Sequence, residues 1–210
     1  MTANRLLAAF LLAAVAALAT RLPAQSRIDV GVEFGYTRAD LTGSEASAIS
    51  SRSGALGGIF LSGRLSRTLA LTIGPNLAAK GGTAAVAGSE VVIDLVGIDL
   101  PLLLRARIPL GALGLLAEVG AMPGIRIGCN AELRQPGVPF LRTPCNDPAL
   151  SQVGDFALWD VAAVAGIGIG IPVAGSDIGL KVRVSRGFIP VIASRSLYNR
   201  SGSIVLVLPF

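Results

Sequence analysis

Histidine is absent from the 210 residues. That removes the commonest general base, the Ser-His-Asp and Cys-His arrangements, and imidazole metal ligation. What remains for chemistry is carboxylates, cations and two thiols. Asp29, Glu33, Asp99, Glu118 and Asp160 sit in the same alternating stretches as Lys80, Arg105, Arg107, Lys181 and Arg183. Carboxylates side by side can act as acid and base. Enclosed with as many cations, they are expected to neutralise them instead, because buried charge is tolerated only when paired and hydrogen-bonded. The expectation is a network of ion pairs with Glu33, Glu118 and Arg105 in one buried cluster. A narrow charged pathway or a small polar ligand site is the alternative. No catalytic residue, no cofactor-binding residue, no cofactor and no metal site is expected, and the chain is read as not an enzyme.

Cys129 and Cys145 are the only cysteines, and both fall in the connection Pro123–Leu158. In an oxidising compartment the expected outcome is a disulfide. Two thiols are too few for a metal site. Gly166-Ile167-Gly168-Ile169-Gly170 lacks the spacing of a nucleotide-binding loop; small residues alternating with Ile instead leave room for a neighbouring side chain. Asn199-Arg200-Ser201 matches a glycosylation sequon by accident in a bacterial-type chain.

The elements that must position the charged residues have a period of two. In Ile28–Thr37, Ile28, Val30, Val32, Phe34 and Tyr36 share one face while Asp29, Gly31, Glu33, Gly35 and Thr37 share the other. A helix would scatter both sets around its circumference, so this is a strand. Leu69–Lys80 and Ile178–Ser185 follow the same rule, and Ala55–Gly63, Ile98–Ile108, Leu113–Met122, Trp159–Ile171 and Ser203–Phe210 follow it less strictly. The total is eight. In each strand the charges lie on the small or polar face, with the apolar residues opposite.

Composition says which face meets water. Hydrophobic residues make up 52% of the chain, charged ones 15%, and the mean hydropathy is +0.67, against about 25% charged residues in ordinary soluble proteins. Met1–Arg5, the apolar run Leu6–Leu18 and the small residues after it read as a secretory signal peptide over residues 1–24, with residues 25–210 as the mature domain. No later stretch is long and apolar enough for a spanning helix. Only helices and closed barrels cross a bilayer, because every backbone polar group must be satisfied there. The fold expected is therefore all-β, an eight-stranded antiparallel up-and-down transmembrane β-barrel. Tyr36 and Trp159 should mark its outer interface and Phe210 its inner one. A soluble periplasmic carrier of the lipocalin type would also alternate, but with its apolar face inward. The face that holds Glu33, Arg105, Lys181 and Arg183 separates the two.

Connections alternate in length. Arg38–Gly54, Gly81–Gly97 (partly strand-like near its end), Pro123–Leu158 and Gly187–Gly202 are long, while Arg64–Thr68, Pro109–Ala112 and Pro172–Asp177 are short. Outer-membrane barrels have long outer loops and short periplasmic turns. The segment Asp99-Leu100-Pro101-Leu102-Leu103-Leu104-Arg105 resembles the E-I-P-L-L-L-K strand of the PorT-like, or porin-family, outer-membrane β-barrel proteins. Leu71–Gly81, with Pro75 and Lys80-Gly81, is similar to that family's L-Q-P-E-L-L-Y-S-Q-K-G strand. It departs at Asn76, where the family has Glu, and the final Leu208-Pro209-Phe210 replaces the family's Y-R-F. The resemblance implies an integral outer-membrane location, and some members take part in secretion or gliding.

The functional expectation is a structural or interaction barrel with a charge-filled lumen, offering its outer loops to a protein partner. A narrow pore or transport- and secretion-associated barrel is the alternative, and the soluble carrier the second. The expected surroundings are outer-membrane lipid, reached after secretion through the inner membrane, with the barrel-assembly machinery acting during biogenesis. A monomer is expected. Scattered Lys and Arg, with no run of four, exclude nucleic acid.

Overall fold

The computed structural model describes residues 28–44, 49–86, 89–135, 138–145, 156–173, 176–192 and 196–210; the expected signal peptide lies outside them. Every regular element among them is a strand: β1 (Ile28–Thr42), β2 (Ile49–Arg64), β3 (Leu69–Ile73), β4 (Asn76–Val86), β5 (Ser89–Asp99), β6 (Leu102–Leu110), β7 (Leu113–Gln135), β8 (Val138–Pro144), β9 (Trp159–Val173), β10 (Ser176–Pro190) and β11 (Tyr198–Pro209). All pairings are antiparallel, and β1 meets both β2 and β11, so the sheet closes on itself. β3 and β4 share one place in the ring, as do β5 and β6, while β8 lies off it as a hairpin partner of β7. The ring therefore has eight places.

The two interruptions have one cause. Leu69–Lys80 and Ile98–Ile108, each expected as a single strand, break at Gly74-Pro75 and Leu100-Pro101. The breaks face each other, since Ile73 pairs with Leu102 and Asn76 with Asp99. Proline has no N–H for a ladder, so two prolines on neighbouring strands share one gap. Pro123 of β7 lies against the same gap: its carbonyl accepts the Leu100 N–H at 2.8 Å. Its missing donor would point the same way, toward a strand already interrupted.

Pro123 for that reason does not end its strand. Leu113–Met122 was expected to stop there, but β7 runs on to Gln135 and returns through β8. Much of the expected long connection is thus a hairpin, and Cys129 is a strand residue. The other long connections shorten likewise, because β1, β2, β4, β5, β10 and β11 all extend past their alternating cores. On β1 the faces exchange character beyond the apolar band, polar Arg38 and Asp40 outward and apolar Ala39 and Leu41 inward, so the rule that marks the core of the strand no longer holds while the ladder continues. The short turns are close to their expected places. Leu110 pairs with Leu113 around Gly111-Ala112, and Gly111 takes a left-handed φ of +63° that this tight reversal requires.

The apolar face points out. Ile28, Phe34, Ile59, Leu77, Val119, Ile167, Leu180, Val182 and Ile204 are exposed around the whole ring, while Glu33, Glu118, Lys181 and Arg183 are buried inside it. On β1 the outward apolar row runs from Ile28 to Tyr36, after which Arg38 and Asp40 take the outward positions. Nine residues of tilted strand span roughly 20–25 Å, the height of an outer-membrane apolar band. Tyr36 and Trp159 lie toward the long-hairpin end and Phe210 at the opposite one, all facing outward. This orientation suits a hydrocarbon exterior and is the reverse of a lipocalin's.

Val182 lies midway along the outward row of β10. Val182→Arg is expected to destabilise the barrel by about 2–4 kcal/mol, whereas Phe188→Arg, near the long-hairpin boundary, should cost about 0–1 kcal/mol. Urea unfolding in lipid vesicles measures both; equal costs would refute the assigned depth.

Candidate functional site

Inside the ring, the side chains that alternation sends inward meet at one level. Glu33 of β1 and Glu118 of β7 stand on opposite sides of the eight-place ring, and Arg183 of β10 lies between them. Its guanidinium donates to both Glu33 oxygens at 3.0 Å and, through Nε, to Glu118 at 2.7 Å. Lys181 Nζ is 2.7 Å from Glu118 and Arg105 Nε 3.1 Å from it. Both cations also lie within 4.0 Å of Glu33. Asn76 adds a hydrogen bond to Glu33 at 2.5 Å. Three cations thus share two carboxylates. In a low-dielectric interior each attraction is far larger than in water, and it offsets the desolvation that burial imposes.

The remaining inward residues divide. Lys80 pairs with Asp99 at 2.7 Å, toward the long hairpins from the central cluster. Arg107 pairs with Asp177 at 2.7 Å and Asp29 with Arg64 at 3.3 Å, at the short-turn end. Asp160 accepts from Asn199 at 3.0 Å. The residues expected to form one network are therefore arranged as a central group of Glu33, Glu118, Arg105, Lys181 and Arg183, with separate pairs above and below. Asp177, Arg64, Asn76 and Asn199 were not singled out as charge partners. The parity that places Lys181 inward also places Asp177 inward, and Asn76 shares the parity of Lys80, so alternation carried that signal.

Small residues make the room. A Cβ on Gly166 would lie 2.9 Å from Glu118 Cγ, and one on Gly168 would lie 2.7 Å from Lys181 Cγ and 2.3 Å from the Leu180 carbonyl oxygen. The Gly-Ile alternation of β9 thus lets β7 and β10 push charged side chains into a narrow lumen.

The lumen is occupied at a second level by apolar residues. Leu41, Leu95, Val191, Ile192 and Leu197 form a buried cluster at the long-hairpin end. Arg126 fastens this cap by donating to the Phe156 carbonyl at 2.9 Å while lying over the Phe156 ring. Between the cap and the charged level lies a void of about 30 Å³ beside Asn76 and Ser203, and below the charged level a cavity of about 270 Å³ opens at the short-turn end. No group of three or more metal-ligating side chains exists among the described residues.

Farther out, Cys129 and Cys145 form a disulfide with Cα atoms 5.4 Å apart, tying the end of β8 back to β7. On the same hairpin the hydrogen bond from Arg134 holds the Glu132 carboxyl below its ordinary range.

Arg183→Met takes away the cation that holds both Glu33 oxygens at 3.0 Å, leaving that carboxylate only the longer contacts to Arg105 and Lys181. It is expected to cost about 3–5 kcal/mol, whereas adding Glu33→Gln to it should restore part of the loss by removing the poorly paired charge. Denaturant unfolding in vesicles reads the pair. Cys145→Ser relieves the unfolded chain of a loop constraint that the chain-entropy model values at roughly 3 kcal/mol. Trypsin should therefore cut faster at Arg134 or Arg142, and the barrel's unfolding midpoint should fall.

A comparison with curated proteins finds no match. Among solved structures the chain is similar to Ail, the attachment invasion locus protein of Yersinia pestis, at 8% identity over 87% of this chain and 98% of that one, with a TM-score of 0.44. Neisserial surface protein A is similar at 10% identity over 86% and 97%, TM-score 0.44. The N-terminal β-barrel domain of Pseudomonas aeruginosa OprF is similar at 12% identity over 88% and 100%, TM-score 0.34. The family model described as outer membrane protein beta-barrel domain matches residues 23–193, most of the chain. The protein belongs to that family, and its closed ring of lipid-facing strands is an outer-membrane barrel.

Proposed function

We propose that the protein is a non-conducting outer-membrane barrel whose lumen is plugged by charge pairs and whose long hairpins are its working surface. The observation that supports the plug is Arg183, which bridges Glu33 and Glu118 across the ring. An eight-stranded barrel is only wide enough for side chains to fill it, and these side chains pair with one another across the lumen. The apolar cap is a second barrier on the same axis.

In this reading the short turns face the periplasm and the hairpins face outward, as in other barrels of the class. The chain reaches the membrane after signal-peptide secretion and insertion by the barrel-assembly machinery, and it works as a monomer surrounded by lipid. A protein partner docks at the hairpins that the disulfide stiffens, and no catalysis is involved. The strands around Leu71–Gly81 and Asp99–Arg105 support kinship with the PorT-like group inside the family.

Planar-bilayer recording tests the reading. The folded protein, verified by its heat-sensitive gel mobility, should add no unitary conductance over lipid alone, and measurable steps should appear only when Arg183→Ala and Glu33→Ala are combined with Leu41→Ser and Leu95→Ser in the cap. Steady single-channel current from the unmodified protein would overturn the proposal in favour of a narrow pore.

A further inference from the structure

The cavity of about 270 Å³ below the charged level has walls and a charge balance that the plug does not use. Its walls combine apolar side chains, Phe60 and Leu116 among them, with polar Ser62 and Thr68, and its inner end is formed by Arg105 and Lys181. Two ion pairs near its mouth, Arg64 with Asp29 and Arg107 with Asp177, compensate themselves. Three cations remain. Arg105 and Lys181 share their carboxylates with Arg183, so the cluster keeps one positive charge in excess. The Arg105 Nη2 group is buried without a hydrogen-bond acceptor, while its guanidinium lies 5.0 Å from the centre of the Phe60 ring. Arg67, exposed on the turn at the mouth, has no ion-pair or hydrogen-bond partner among the described residues.

We propose that this cavity is a binding site for a small organic anion, a carboxylate or phosphate monoester carried on a compact apolar body. The anionic group would meet the spare donor of Arg105 and relieve the excess charge, and the body would lie against Phe60 and Leu116. The volume falls just below the roughly 300 Å³ at which drug-sized sites begin, which limits the body to about the size of one ring. The site is blind, closed at its inner end by the buried cluster, so it holds a ligand from the short-turn side instead of passing it through.

Phenyl phosphate is the probe, titrated by calorimetry into the full barrel in neutral phosphatidylcholine nanodiscs. One saturable site is expected, with no binding of uncharged benzyl alcohol. Arg67→Ala, on an exposed turn outside the plug, should weaken binding roughly threefold, the scale of one solvent-exposed charge contact. Arg105→Gln should weaken it at least tenfold, as removal of a buried charge partner does. Ala70 lines the cavity, and no free cysteine occurs among the described residues. The Ala70→Cys thiol should therefore react several-fold more slowly with a charged thiol reagent when phenyl phosphate is bound. Absence of saturable binding, equal binding of benzyl alcohol, or an Ala70→Cys thiol that phenyl phosphate does not protect would each overturn the proposal.

Discussion

A strand in hydrocarbon has no water to satisfy its N–H and C=O groups, so each must find a partner on a neighbouring strand. Closure of the ring follows from this, and the seam between β1 and β11 is where it is completed. That ladder runs from Gly31 opposite Pro209 to Thr42 opposite Tyr198, and the Phe210 N–H extends it to the Val30 carbonyl. The prolines obey the same constraint. Pro75, Pro101 and Pro123 gather at one gap in the ladder. With Phe210 bonded to Val30, the N–H that Pro209 lacks would point toward β10, where the ladder has already ended at Gly179 opposite Val207.

Charges inside the ring protect its register. A slip of one residue would reverse every side chain of a strand, carrying Glu33 or Arg183 into lipid and Phe34 or Val182 into the lumen. The cost of a charge in hydrocarbon far exceeds that of a misplaced apolar residue. The central cluster thus ties strands far apart in sequence to one stagger. The β9 glycines belong to this device, because a larger side chain at Gly166 or Gly168 would occupy the space of Glu118 or Lys181.

Above and below that level the molecule differs. Toward the hairpins an apolar cap closes the lumen, and past the lipid boundary outward residues of β1 and β11 pair as ions, with Arg200 against Asp40. Toward the short turns the lumen stays open as far as Arg105 and Lys181. The hairpin end of the lumen is closed by the apolar cap and the short-turn end is open, and on the proposed reading the two ends do different work.

Alternation is a local property: a strand between lipid and lumen must place apolar and small or polar residues on opposite faces wherever it lies. For that reason Ile28–Thr37, Leu69–Lys80 and Ile178–Ser185 were legible from the sequence alone, together with the inward direction of Glu33, Lys181 and Arg183. The disulfide was legible because Cys129 has a single possible partner. Strand ends were not, since beyond the lipid boundary the outward residues turn polar and the inward ones apolar, as in Arg38–Leu41, and the pattern that marks a membrane strand is lost while the ladder continues. Nor could the sequence say which cation meets which carboxylate. That Arg183 is the hub, that Arg107 turns to Asp177, and that Asn76 reaches Glu33 all depend on the stagger between strands, which is set only when the sheet closes into a ring.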